Sequence, residues 1–363
     1  MAETAYYDPS VLRAFTAALF QRHGLPEADA VRVADCLVHS NLRGLDSHGI
    51  ARIPIYAERL RRGVVAPRPT ITVERMTPVA ALVDGGTGMG FLAATRAMDE
   101  AIAMARDYGV GLVGVRNSTH FGMAACYVLQ AIEAGMASLV FTNASPALPP
   151  WGGRAKFLGA SPFAAGAPAG ESGVPFVLDM AMTVTARGKL RLAAQRGEPI
   201  PEGMALDGEG KPTTDGMKAF EGIVLPFGGA KGAAIAMLME VMAGAMTGSR
   251  FAGQVRSLYD DFSGPQDVGH MMMAFRPDLF MPLAEYRRRM DELVAQTKAQ
   301  PKAAGFDEIL MAGEPETRAE AKRLRTGIPV TGDVIDRLRE EADAVGLAFP
   351  DGTPTPLNGE EYR

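Results

Sequence analysis

The residues best suited to chemistry stand in four short polar clusters, each at the edge of an apolar run. The first is Leu42-Arg43-Gly44-Leu45-Asp46-Ser47-His48-Gly49-Ile50-Ala51-Arg52. His48 can carry a proton near neutral pH, and Arg52 can hold a carboxylate through two parallel hydrogen bonds. Asp46 or Ser47 is a good N-cap for a helix starting here. In such a helix His48 and Arg52 share a face, and the dipole at the N-terminal end pushes the histidine pKa down. An acid/base group beside a carboxylate anchor is what a dehydrogenase of small 2-hydroxy acids needs. The plainer reading is a capped helix with surface charges.

The second cluster, Asn117-Ser118-Thr119-His120-Phe121-Gly122, follows the β-rich run Gly109 to Val115. Polar residues at the carboxyl end of a buried strand commonly face a ligand, so His120 would bond a cofactor or substrate, or else its own loop backbone. Third, Asp179 closes the apolar strand ending Leu178-Asp179-Met180 and needs a partner if buried. It could orient His48, bind a ribose or a nicotinamide amide, or serve as a helix cap. Fourth, Pro226-Phe227-Gly228-Gly229-Ala230-Lys231-Gly232 precedes a long apolar helix. Glycines there let backbone N–H groups approach an anion and Lys231 adds a cation, which suits a pyrophosphate.

Other motifs lead elsewhere. Gly88-Met89-Gly90-Phe91-Leu92-Ala93 has the form of a dinucleotide fingerprint, but the next strand is followed by Arg116 where a ribose-binding acid would stand. It reads better as a strand–turn–helix connection. Ser47 lacks a G-x-S-x-G elbow, Gly188-Lys189 is followed by Leu190 where a Walker motif needs Ser or Thr, and the five histidines show no zinc-ligand spacing. No metal is expected.

These clusters need elements to hold them. Apolar residues at helical spacing predict helices over Pro9 to Arg22, Glu27 to Leu42 and from Ser47 or His48 to Arg62. The centre alternates strands with helices: strands over Pro78 to Val83, Gly109 to Val115, Ala137 to Thr142, Phe176 to Met180 and His270 to Phe275, and helices over Phe91 to Tyr108, Tyr127 to Gly135 and Ala230 to Met246. Residues 143–174, rich in Gly, Pro, Ala and Ser, read as an irregular connection. The tail is helical again over Pro282 to Gln300, Arg318 to Gly327 and Asp333 to Val345. The expected fold is α/β. Residues 73–280 form a cofactor-binding part, and residues 1–72 and 281–363 form a helical domain built from both ends of the chain.

The 363 residues are 47% hydrophobic and 22% charged, which excludes a disordered chain. A net charge of −5 gives no footprint for nucleic acid. Two cysteines, Cys36 and Cys126, make no disulfide scaffold and suit a reducing compartment. The N-terminus has no apolar signal region, and the apolar run Ala233 to Met239 falls far short of the ~20 residues that span a bilayer. A cytoplasmic protein with no membrane or nucleic-acid partner is expected.

Taken together, the clusters resemble the malate/L-lactate dehydrogenase family. This is a non-Rossmann family of NAD(P)-dependent oxidoreductases that includes ureidoglycolate and sulfolactate dehydrogenases, diketogulonate reductase and Δ1-piperideine-2-carboxylate reductases. The stretches LRGLDSHGIARIPIYAERLRRGVV, VRNSTHFG, TNASPALPPWGGRAKFLGASPFAAGAP, VLDMAMTVTARGKL, IPEGMALDGEGKPTTD, PFGGAKG, QDVGH and AGEPETRAEAKRLRTGIPV carry the resemblance, in order, over nearly the whole chain. It implies hydride transfer between NAD or NADP and a small 2-oxo or 2-hydroxy acid, or a cyclic 2-imino acid, by a homodimer with a non-Rossmann cofactor domain. Ser47 and His48 would form the acid/base unit, with Asp179 as supporting carboxylate. Arg52, His120 and position 160 would meet the substrate. His120, Phe121, Gly122, Met123 and Ala124, then Leu178, Asp179 and Met180, then Gly228, Gly229 and Lys231, and finally Gly313 and Glu314, would line the cofactor. Two departures stand out. Ala160 replaces a threonine common in the family, and Met182 replaces a small polar residue. Both are expected to reshape the substrate pocket, and both favour the rival reading of a lapsed member that only binds a ligand or partner.

Overall fold

The computed structural model describes residues 4–358. Two ends of the chain build one core. Helix Pro9–Arg22, capped by Asp8, packs on Glu27–Leu42, and strand Ala5–Tyr7 pairs antiparallel with Ile328–Val330. Leu12, Leu19, Phe20 and Leu37 are buried with Ile335 and Leu338 of the terminal helix Gly332–Ala344. These are the apolar stripes that the helical spacing marks.

The centre is a seven-stranded mixed sheet. Its order is Thr72–Thr77, Ala80–Asp84, Val110–Ser118, Val268–Phe275, Ala137–Thr142, Phe163–Ala167 and Phe176–Met180. The pair Ala80–Asp84 and Val110–Ser118 runs parallel and the other five pairs run antiparallel, so this is not the parallel sheet of a Rossmann fold. Helices Gly90–Tyr108 and Ala125–Glu133 contribute to the core on one side, and Met239 packs with Phe141 and Met271 in another. Covering on both faces explains the unbroken apolar run Met271 to Phe275 in the Val268–Phe275 strand. The fingerprint-like Gly90 serves this packing. A Cβ there would lie 2.1 Å from the Thr119 carbonyl oxygen, while its N–H donates to Thr119 Oγ1 at 2.9 Å.

Several expectations need correction. No helix starts at Ser47 or His48: Asp46–His48 and Ile50–Arg52 are separate 3-10 turns, and the α-helix is Ile53–Arg61. Gly49 (φ −92°, ψ −147°) breaks the chain between the turns, and Pro54 fits an α-helix only in its first turn. Neither Asp46 nor Ser47 caps a helix. Residues 143–174 are not wholly irregular. They contain the paired strands Pro146–Leu148 and Leu158–Gly159, and the sheet strand Phe163–Ala167. Its Ala and Gly mislead because small residues are needed there: a Cβ on Gly166 would lie 2.2 Å from Val128 of the overlying helix. The Ala230 helix is α-helical to Met239 and continues as a π-turn over Glu240–Ala245.

A third core, unread in the sequence, gathers Leu148, Leu158, Met182, Leu190, Ile200 and Val224 beneath a small three-stranded sheet. Met182 is fully buried within it, so its side chain is a core side chain. Its backbone is a link: Met182 N donates to the Ala160 carbonyl (2.8 Å) and its carbonyl accepts from Phe227 N (3.0 Å).

Candidate active site

The turn carrying Ser47 and His48 is pinned from beneath. Asn41 Oδ1 accepts from Ile50 N (2.8 Å) and Asn41 Nδ2 donates to Asp46 (2.7 Å). Arg323 grips both Asp46 oxygens (2.7 and 3.0 Å) and also donates to the Asn41 carbonyl. The fit excludes any side chain at Gly49, where a Cβ would lie 2.0 Å from Asn41 Oδ1. Asp46 therefore braces the turn, and Ser47 and His48 face outward from it.

His48 Nδ1 lies 3.0 Å from Ser47 Oγ. Arg52 Nε donates to the Ser47 carbonyl (2.6 Å), which brings Arg52 back toward His48 without a shared α-helical face. The Arg52 guanidinium also lies over the Tyr259 ring, 5.2 Å from its centroid. Burial first, then the Arg52 charge, pushes the His48 pKa down to about 4. The expected cause was a helix dipole, and there is no α-helix at His48 to supply it.

His120 stacks beside His48, with ring centroids 5.9 Å apart. Its Nδ1 meets the buried Tyr56 hydroxyl at 2.7 Å and accepts from Gly122 N at 3.2 Å. An amide N–H can only donate, so Nδ1 is an acceptor, the Tyr56 hydroxyl donates to it, and the ring proton sits on Nε2. Burial, with His48, Arg52 and His270 adding to it, holds the His120 pKa well below its ordinary value. Burial pushes the Tyr56 hydroxyl up, so it keeps its proton. Gln266 Oε1 accepts from His120 N (3.3 Å). Among the described residues, no carboxylate pairs with His48, Arg52 or His120.

The remaining sequence candidates form other groupings. Phe121, Met123 and Ala124 are core side chains, so of residues 120–124 His120 is the one whose side chain lies beside His48 and Tyr56. Asp179 does not bond His48. Its Oδ2 accepts from Ala125 N (2.8 Å), which caps the Ala125–Glu133 helix, and burial raises its pKa to about 6. Gly313 packs against Val177, and its carbonyl accepts from Arg43. Glu314 is held by Lys298, Arg318 and Met311 N, and the Lys298 bond above all lowers its pKa to about 2. Gly228 (φ 59°) and Gly229 (φ 64°) open the Ala230–Met239 helix. A Cβ on Gly228 would meet nothing within 4 Å and Lys231 is exposed, so this end has the room and the donors that a dinucleotide's pyrophosphate requires. Ala160 is linked through Met182 to Phe227, the residue before Gly228.

Sequence reasoning missed Tyr56, Gln266 and Tyr259. Tyr56 follows Arg52 by four residues, a spacing that was available, but an aromatic in an apolar helix reads as core. Gln266 and Tyr259 had no local signal, since their partners lie 146 and 207 residues away in the chain.

Residues 7–339 match the malate/L-lactate dehydrogenase family model. The chain is 38% identical over 336 residues to the L-sulfolactate dehydrogenase of Methanocaldococcus jannaschii, covering 92% of this chain and 95% of that one. The solved structure of sulfolactate dehydrogenase from that organism superposes with a TM-score of 0.89 at 36% identity, over 96% of this chain and 98% of the other. The ureidoglycolate dehydrogenase (NAD(+)) of Escherichia coli K12 is 32% identical over 88% of this chain and 90% of its own. The (2R)-3-sulfolactate dehydrogenase (NADP(+)) of Chromohalobacter salexigens is 38% identical over 71% and 77%. Fold and relatives agree on an oxidoreductase of the hydroxy-acid dehydrogenase class. The chain belongs to the malate/L-lactate dehydrogenase family.

Proposed function

We propose that the protein moves hydride between NAD or NADP and carbon 2 of a small 2-hydroxy/2-oxo acid, or a cyclic 2-imino acid. The observation that carries this reading is that Arg52, His48 and His120 come together and, among the described residues, face no carboxylate of their own. A substrate carboxylate supplies the missing anion. Arg52 binds it, fixed at one edge by the Ser47 carbonyl. His48, neutral in the free protein, takes the hydroxyl proton during oxidation and returns one to the oxygen or nitrogen during reduction. His120 presents its Nε2–H to the reacting oxygen, in a tautomer set by Tyr56 and Gly122.

Gly228, Gly229 and Lys231 would hold the dinucleotide's phosphates, and the strand end at Leu178 to Met180 with Gly313 would line its other end. The bound cofactor supplies or accepts the hydride. Asp179 supports this site through the Ala125 helix. The lapsed reading loses its footing: Met182 fills a core, and Ser47, His48 and Arg52 stand together. No helix among the described residues is long and apolar enough to cross a membrane. A cytoplasmic homodimer fits this reading, and the exposed apolar side chains of Met237, Leu238, Val241 and Met246 suit a face between two copies.

The test is NADH and NADPH oxidation, followed by absorbance, against a panel of 2-oxo acids and cyclic imino acids. Turnover of at least one is expected. Tight cofactor binding with no turnover across 2-oxo and imino acids of every chain length would exclude this substrate class.

A further inference from the structure

Arg59 is fully buried, yet among the described residues it forms no salt bridge: its guanidinium donates to backbone carbonyls. Nη1 donates to the carbonyls of Ser257 (3.3 Å), Leu258 (3.1 Å) and Asp261 (3.0 Å), and Nη2 to that of Gly264 (3.3 Å). The Phe262 ring lies against the guanidiniums of both Arg59 and Arg62, at 5.3 and 4.4 Å. The segment gathered in this way, residues 255–266, has no regular secondary structure beyond turns, so these bonds do the work that a sheet or helix does elsewhere. Burying a guanidinium is costly, and meeting Nη1 and Nη2 with carbonyls from four different residues makes the loop's shape and the charge's burial depend on each other.

That loop carries Tyr259, whose ring covers Arg52, while Leu258 beside it is buried in the terminal core. Tyr259 is 49% exposed, so its position is not set by its own burial. We infer that Arg59 is a positioning residue for substrate binding: by holding the loop through four carbonyls, it keeps Tyr259 over the Arg52 guanidinium and so fixes the plane in which Arg52 receives a carboxylate. A guanidinium stacked on a ring loses less freedom when it binds an anion than one free to rotate. Lysine cannot substitute, because a compact ammonium with three donors does not span the carbonyls that a planar fork reaches. Phe262, in contact with both Arg59 and Arg62, ties the same loop to the Ile53–Arg61 helix and its end.

The inference rests on Arg52 as the carboxylate anchor, and the experiment separates the two. Steady-state constants for a turned-over 2-oxo acid, and NAD(P)H affinity by fluorescence, are measured for Arg52→Ala, Tyr259→Ala, Arg59→Lys and the Arg59→Lys/Tyr259→Ala double variant. Arg59→Lys and Tyr259→Ala should each raise KM at least about fivefold with kcat within about twofold and cofactor affinity unchanged. In the double variant Arg59→Lys should add less than about twofold to KM, because its effect runs through Tyr259. A purely structural Arg59 would lower stability and the active fraction while leaving KM alone. If Arg59→Lys fails to fold, Tyr259→Ala, a change at a half-exposed residue, still decides: an unchanged KM overturns the inference. Effects that multiply in the double variant also overturn it. An unchanged KM in Arg52→Ala would instead sink the anchor itself.

Discussion

His270 on one side and the pair His48 and His120 on the other flank one strand end and have opposite characters. Residues 118–122 divide their contacts between two sides. Ser118 and Phe121 go to His270, while His120 goes to Tyr56 and His48. His270 is fully buried, lies 2.7 Å from Thr142 Oγ1 and 2.8 Å from Ser118 Oγ, and stacks on Phe121 at 4.6 Å. Both its ring nitrogens are engaged. Beside it, Glu240 at the start of the π-turn gathers Gly159 N, Ser161 Oγ and Ala252 N, with Asn143 close by. On the other side, among the described residues, the His48 ring hydrogen-bonds only to Ser47 and the His120 Nε2 has no hydrogen-bond partner. All these rings are held neutral by burial, so a depressed pKa does not tell a working histidine from a structural one. The unspent nitrogen does.

This contrast can be broken or sharpened by substitution. The largest effect belongs to His48→Asn, which should cut kcat at least ~100-fold, the lower end of general acid–base contributions, with cofactor affinity within about twofold. Full turnover in that variant would end the distinction. Tyr56→Phe removes one of the two donors that set the His120 tautomer, and should lower kcat/KM about five- to tenfold, the equivalent of roughly 1 kcal/mol for one hydrogen bond. An effect confined to thermal stability would move Tyr56 to the structural side. The smallest effect on catalysis is expected at His270→Gln, where turnover per folded molecule should stay within about threefold while stability falls by roughly 1–3 kcal/mol.

His270 also has a pH signature. Burial puts its folded pKa at about 3, below its ordinary 6.5. Between those values the unfolded chain binds the proton and the folded one does not, so this residue makes stability fall as pH drops from about 6.5 toward about 3. Urea unfolding across that range should show a shallower pH dependence in His270→Gln than in the parent. An unchanged slope would mean that His270 is not held neutral.

Much of this was legible in the chain itself. Helices Pro9–Arg22 and Glu27–Leu42 announce themselves through apolar spacing, and Ser47, His48, Arg52 and His120 through polar types at the ends of apolar runs. The local geometry was not legible where a distant contact decides it. Asn41 and Arg323 dictate the turn at 46–52, replacing the helix that spacing predicts. The strand Phe163–Ala167 looks like loop because a helix packed on it demands small residues. Tyr259 and Gln266 enter the site through a loop whose shape is fixed by Arg59, some 200 residues earlier in the chain.

The most direct test of the central claim, that His48 is the neutral proton carrier of an anion-receiving cleft, is the pH dependence of kcat/KM in both directions, which reports the free enzyme. With the His48 pKa held at about 4 by burial and Arg52, oxidation of the 2-hydroxy acid should be flat from about pH 5.5 to about 8.5. Reduction of the 2-oxo acid should fall about tenfold per pH unit over the same range, because it draws on the small protonated fraction. Profiles that both bend near pH 6.5, as an unshifted histidine would give, or a reduction rate independent of pH, would contradict it.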